Sequence, residues 1–224
     1  MNRLGYIELE NLYFEYNNEK PIINNINLKI IKDEVTGIIG ANGSGKTTLG
    51  KLMMGILKPK NGQVYIANRK ISQFSLAQIG SRIGYLFQNP ENHFFTNTVE
   101  EELGFTLKFK GFNEVNIEEK VEGLLKLFQI EDLRKQSPLL LSQGEKQRLA
   151  IATILINDPE YLILDEPTTG LDFERKNILM EVLKELMKKG VGMTIISHDN
   201  FFVDEISHRV IKIHRGEITY DQRT

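Results

Sequence analysis

Val35-Thr36-Gly37-Ile38-Ile39-Gly40-Ala41-Asn42-Gly43-Ser44-Gly45-Lys46-Thr47-Thr48 is the stretch from which the rest of the chain is read. A short apolar strand runs into a glycine-rich turn, and the residues from Thr47 to Ile56 carry helical spacing. Gly40 to Thr47 fits the pattern G-x-x-x-x-G-K-[ST] without a mismatch. Glycines let the backbone curl until successive N–H groups point at phosphate oxygens. The helix that follows turns its unsatisfied N–H groups and positive dipole end to the same anion. Lys46 adds a mobile cation for the β- and γ-phosphates, and the Thr47 hydroxyl is a ligand for Mg²⁺. A plain strand–helix turn is the bland alternative, but here the motif sits after a strand and before a helix, as phosphate binding requires. Gly40, Asn42, Gly43, Ser44, Gly45, Lys46, Thr47 and Thr48 are therefore the expected nucleotide-binding residues.

A second element belongs with the first. Tyr161-Leu162-Ile163-Leu164-Asp165-Glu166-Pro167 is an apolar strand ending in two carboxylates. In open α/β sheets, ligands bind at the carboxyl ends of strands, where the glycine loop also lies. Asp165 is placed to hold Mg²⁺, and Glu166 to orient and deprotonate an attacking water. By itself the segment would be a strand followed by a polar turn; the phosphate loop favours the functional reading.

Outward from these segments the chain reads as one folded unit of 224 residues. Strand patterns occupy Ile7 to Leu12, Ile26 to Ile30, Gln63 to Ile66 and Ile83 to Phe87. From Thr98 to about Ile156 the apolar residues recur at helical spacing, as in Val121, Leu124, Leu125 and Phe128. Strands and helices then alternate again: strands at Tyr161 to Leu164, Gly192 to Ile196, Val210 to Ile213 and Glu217 to Tyr220, and a helix at Phe173 to Lys188. The expected fold is α/β, a mostly parallel sheet covered by helices, with an N-terminal β region and an inserted helical lobe. A net charge of −2 supplies no basic field, so no nucleic-acid partner is expected. No cysteine is present, which excludes disulfides, thiolate metal sites and cysteine nucleophiles. Apolar runs fall well short of the roughly 20 residues of a membrane span. Met1 to Tyr6 leads directly into alternating sequence, so no signal peptide is expected.

Between the two phosphate-site elements lies Leu141-Ser142-Gln143-Gly144-Glu145-Lys146-Gln147-Arg148. Ser142 followed by Glu145 is a capping box, so a helix is expected to begin here. With this segment in place, nearly the whole chain resembles an ATP-binding cassette (ABC) ATPase, the nucleotide-binding subunit of a membrane transporter. The usual family signature is Leu-Ser-Gly-Gly-Gln, from which Gln143 and Glu145 depart. The resemblance implies a P-loop core at about residues 1–88 and 158–224, with a helical subdomain at about 89–157. It also implies ATP and Mg²⁺, and a head-to-tail dimer with a second ATPase subunit, identical or not. In that dimer Ser142 and Gly144 meet the γ-phosphate held by the partner, and Asp172 lies in the loop crossing the interface. Tyr16 resembles the aromatic that stacks on adenine. Gln88 matches the glutamine that touches Mg²⁺ and links the site to the transporter, and His198 the histidine that hydrogen-bonds the γ-phosphate. His93, His208 and His214 fit no motif.

Phe87 to Asn92, continuing to Thr98 to Phe105, is similar to the energy-coupling-factor and cobalt-type importers. That likeness implies transmembrane partner subunits, a cytoplasmic place on the inner face of the cell membrane, and a vitamin or metal ion as cargo. Many members of that group carry an additional C-terminal segment, so minimal dimer contacts are expected. Other ABC systems are the alternatives. Chromosome-maintenance and DNA-repair heads are split by a coiled coil absent here. Translation-factor relatives need two cassettes in tandem, and exporters share the same motifs. A regulator without turnover would not need Lys46, Asp165, Glu166 and His198 together.

Overall fold

Alternation builds the first sheet. Ile7 and Leu9 are buried opposite Ile30 and Leu28, while Glu8 and Lys29 pair on the other face with an ion contact of 3.5 Å. The computed structural model describes residues 5–17 and 20–223. Met1 to Leu4, most of the stretch on which the signal-peptide expectation rests, lie outside the described residues.

The chain runs β1 (Gly5–Phe14), β2 (Ile23–Ile31), β3 (Val35–Ile39), α1 (Lys46–Met53), β4 (Asn61–Ile66), β5 (Arg69–Lys70), α2 (Leu76–Gly80) and β6 (Ile83–Leu86). Three helices follow, α3 (Val99–Phe109), α4 (Glu114–Phe128) and α5 (Gln143–Leu155). The remainder is β7 (Tyr161–Asp165), α6 (Phe173–Lys188), β8 (Gly192–Ile196), α7 (Asn200–Ile206), β9 (Arg209–His214) and β10 (Glu217–Arg223). One sheet is antiparallel with strand order β2-β1-β4-β5; the other has order β10-β9-β3-β8-β7-β6 and is parallel except for β10.

The central strands β3, β7 and β8 are almost wholly buried and mostly apolar because both faces are covered. Along β7, Tyr161 and Ile163 face one core with Leu49, Leu52 and Met53 of α1, while Leu162 and Leu164 face the other with α3 to α7. Helix α1 is thus packed in the core between the two sheets, and it carries the phosphate loop at its N-terminus. All of β3, β7 and β8 end on the same edge beside that loop.

The helical middle is three helices because the backbone is interrupted twice. Helix α3 stops before Gly111 (φ +80°), α4 starts from the Asn113 cap, and Gln129 (φ +53°) ends it. The Asn113 side chain accepts the Asn116 amide at 2.8 Å, a cap worth about 1 kcal/mol. Helix α1 is shorter than the expected reach to Ile56, since Gly55 takes φ +69° just past it. Helices α2 and α7 and strand β5 lie outside the sequence reading; they are too short for a period to emerge.

Because Leu49 is fully buried between the sheets, Leu49→Ala should cost about 2–5 kcal/mol in urea unfolding. A loss below about 1 kcal/mol would contradict that placement of α1.

Candidate active site

The loop after β3 closes on itself. Gly40 (φ +154°) and Gly45 (φ +105°) hold conformations and spaces that a side chain would spoil. A Cβ on Gly40 would meet the Ile213 carbonyl at 2.3 Å, and one on Gly45 the Ile22 carbonyl at 2.6 Å. Lys46 Nζ donates to the carbonyls of Gly40 (2.8 Å) and Ala41 (3.0 Å), and the residue is buried. From behind, the Gly216 amide donates to the Ser44 carbonyl at 3.0 Å, while the Asn24 amide donates to the Gly216 carbonyl at 2.9 Å. The cradle therefore has tertiary support from β2 and from the β9–β10 turn.

In front of the loop lies a cavity of about 260 Å³ bordered by Tyr16, Asn42, Lys46, Thr47, Gln88 and Glu166 among others. Tyr16 stands at its rim, 41% exposed and edge-on to Phe14 at 4.8 Å between ring centres. Its hydroxyl is 3.4 Å from Thr48 Oγ1. Gln88 lies just past β6 and is exposed toward the same space.

The two carboxylates that end β7 are treated differently. Asp165 is fully buried, and neither carboxylate oxygen has a hydrogen bond of normal geometry. Burial pushes its pKa up to about 6; Glu166 pushes the same way, while the Thr47 hydroxyl and the Lys46 and Lys51 ammonium groups pull it down. Glu166 sits at φ +54°, unusual for a residue with a side chain and costing about 1–3 kcal/mol. It is held there from several sides. Its Oε2 accepts from Ser197 Oγ (3.1 Å) and the His198 amide (3.3 Å), and His198 Nδ1 lies at 2.8 Å. Gln147 Nε2, fully buried on α5, donates to the carbonyls of Glu166 (3.2 Å) and Pro167 (3.1 Å). Sequence reasoning missed Gln147 and Ser197. Gln147 lies in the polar first half of α5, between Lys146 and Arg148, where no apolar period sets it apart, and nothing local marked Ser197.

Ser142, Gly144 and Asp172 do not border this cavity. They form a second group at the N-termini of α5 and α6. Glu145 Oε2 accepts the Ser142 amide (2.8 Å) and hydroxyl (2.7 Å), which hold the carboxyl below its usual range. A Cβ on Gly144 would lie 2.7 Å from the Gly170 carbonyl, so the two glycine backbones pack directly. Asp172 caps α6 through the Arg175 amide at 2.9 Å and pairs with the Arg175 guanidinium.

A glycine cradle, a lysine and a carboxylate pair at one sheet edge suit phosphate-anhydride chemistry. The ABC transporter family profile matches residues 23–169, more than half of the chain. The chain belongs to the ABC transporter family. A putative ABC transporter ATP-binding protein of Pyrococcus furiosus is 39% identical over 96% of this cassette and 82% of its own length. The cassette spans only 37% to 48% of several other curated relatives. Among solved structures it is similar to CbiO1 of Clostridium perfringens, part of the ABC transporter complex CbiONQ. The TM-score there is 0.85 and the identity 33%, covering 98% of this chain and 88% of that one. It is also similar to the dimeric ATP-binding cassette MJ0796 in a post-hydrolysis state with ADP and phosphate. That likeness has a TM-score of 0.88 at 28% identity, over 97% of this chain and 98% of the other. The fold is that of an ABC ATPase, and the chain is an ATP-hydrolysing subunit of such a system.

The donor set fits Mg²⁺. Among the described residues no group of three or more His, Cys, Asp or Glu could cage a metal. A single buried carboxylate beside the Thr47 hydroxyl suits an ion that takes its remaining ligands from phosphate and water.

The raised Asp165 pKa has a signed consequence for the metal-free protein. The native carboxyl holds its proton up to about pH 6 and the unfolded one only to 3.8, so ionisation weakens the fold as pH rises through that window. In chelator-containing buffer, Asp165→Asn should therefore stabilise the cassette at pH 8 by on the order of 3 kcal/mol and be nearly neutral near pH 3. Equal effects at both pH values would contradict the raised pKa that burial gives this carboxyl.

Proposed function

We propose that the cassette binds Mg²⁺-ATP in the cavity before Gly40 to Thr48 and hydrolyses it with Glu166 as the base. The observation that carries this reading is the convergence of Ser197 and His198 on Glu166 Oε2 at the edge of that cavity. So oriented, the carboxylate aligns a water with the γ-phosphorus and takes its proton, as the water oxygen bonds to phosphorus and the bond to the ADP oxygen breaks. Lys46 exchanges the carbonyls of Gly40 and Ala41 for β- and γ-phosphate oxygens. Tyr16 stacks on adenine, and the exposed face of the His198 ring meets the γ-phosphate. Thr47, Gln88 and Asp165 hold Mg²⁺, which when bound neutralises charge on the two terminal phosphates.

Ser142, Gly144 and Asp172 act on the nucleotide of a second ATPase subunit in a head-to-tail dimer. Their separation from the Lys46 cavity supports a role on a neighbour's nucleotide. The P-loop core spans about 1–88 and 158–224, with the helical subdomain at about 89–157 between them. The likeness to CbiO1, together with the Phe87 to Phe105 segment, supports an importer of the energy-coupling-factor or cobalt type. Its ATPases work on the cytoplasmic face of the membrane against transmembrane subunits, and those other subunits choose the vitamin or metal ion. Among the described residues no helix is long and apolar enough to cross a membrane.

Lys46→Ala should weaken ATP binding by at least about a hundredfold in a direct titration, since a cation on the terminal phosphates is lost; unchanged affinity would sink the loop assignment. Glu166→Gln keeps an acceptor for Ser197 and should retain ATP while lowering kcat by at least about a hundredfold. With ATP and Mg²⁺ it should elute as a dimer, and elution as a monomer would count against the shared site.

A further inference from the structure

Strand β6 is the edge of the parallel sheet and ends at Leu86, so the backbone beyond it must find partners elsewhere. The Phe87 amide finds one in His93 Nε2, at 3.0 Å, and the two rings lie 5.1 Å apart. Between them Asn89 accepts the Glu91 amide at 3.1 Å and starts the single turn Pro90–His93. From this turn Glu91 Oε1 meets Lys146 Nζ at 2.5 Å. Lys146 stands in the first turn of α5, next to the Ser142–Glu145 cap, and its side chain is only 11% exposed. An ammonium that has lost most of its water depends on its carboxylate partner.

We propose that the turn Pro90–His93 is a strut, in which Glu91, Lys146 and His93 are positioning residues that tie Gln88 to the N-terminal turn of α5. The proposal rests on the assignment of Gln88 to the ATP cavity made above. Gln88 borders the chain's own cavity, whereas Ser142 and Gly144 head the helix offered to a neighbouring subunit. Joined through Glu91 and Lys146, the two move as one piece, so a displacement of α5 shifts Gln88 and the reverse. His93 anchors the near end as a hydrogen-bond acceptor. Burial pushes its pKa down to about 4, so the ring stays neutral and accepting through the physiological range.

The test is a charge exchange in the full chain, read by steady-state ATP hydrolysis and ATP titration. Glu91→Lys and Lys146→Glu should each lower kcat roughly tenfold and leave ATP affinity within about twofold, because the phosphate loop is untouched. The doubly exchanged chain should recover most of the loss; recovery no better than the worse single variant overturns the strut. Lys146→Met removes the charge without burying an acid and should lower kcat in the same direction, so an unchanged kcat also overturns it. His93→Gln keeps an acceptor and should stay within about threefold of the unaltered kcat, whereas His93→Leu should not. Equal losses in that pair remove His93 from the device. Hydrogen exchange over β3 and α1 should be the same in every variant; a general rise would assign the losses to unfolding and overturn the positioning role. Gln88→Ala is measured alongside. No effect of it on kcat overturns the assignment of Gln88 and the strut together, while an impaired Gln88→Ala with a failed exchange overturns the strut alone.

Discussion

Glu166 Oε2 gathers the Ser197 hydroxyl, the His198 amide and the His198 ring. Much of the architecture is what that convergence requires. Ser197 and His198 follow β8, Glu166 follows β7, and the strands are parallel neighbours in register, Asp165 opposite Ile196. Two strands ending together bring a carboxylate and its hydrogen-bond donors within bonding distance. A backbone at φ +54° is then needed to turn the side chain back toward β8, and Gln147 holds that turn from α5 by its two carbonyl contacts. Preorganised donors of this kind cost nothing to reorganise when charge moves.

Asp165, one residue earlier, has the opposite environment. It points into the layer beneath α1, where no hydrogen bond of normal geometry reaches its oxygens. One strand end thus supplies a buried carboxyl and a well-donated one beside it, and the difference arises because Asp165 is the last residue of β7 while Glu166 leaves the strand at φ +54° and turns toward β8. Divergent environments of this kind separate the roles of neighbouring acids.

The class of fold was legible because it follows from strong local signals: a glycine loop between strand and helix, apolar strands of five residues, and helical spacing from Thr98 onward. The residues that border the cavity were legible for the same reason, since Lys46, Thr47, Gln88 and Glu166 each sit at the end of an element the pattern reveals. Their partners were not. Ser197 reaches Glu166 across 31 residues and Gln147 across 19, and His93, left without a motif, accepts from the Phe87 amide. Such contacts depend on how elements pack and carry no periodicity of their own. The division of the helical stretch at Gly111 and Asn113 had a local signal in a glycine before a capping asparagine, and the apolar spacing overrode it.

The contact between Gly216 and Ser44 changes what kind of object the phosphate loop is. A G-x-x-x-x-G-K-T string is local in sequence, yet here its shape is braced by residues about 170 positions away, with Ile22 and Asn24 closing the arrangement. The cradle therefore takes its final shape only when β2 and the β9–β10 turn are packed against it. A fragment that stops short of β9 contains every letter of the motif and lacks the wall against which it is formed. Any ligand that binds only the assembled loop therefore reinforces contacts across nearly the whole length of the polypeptide.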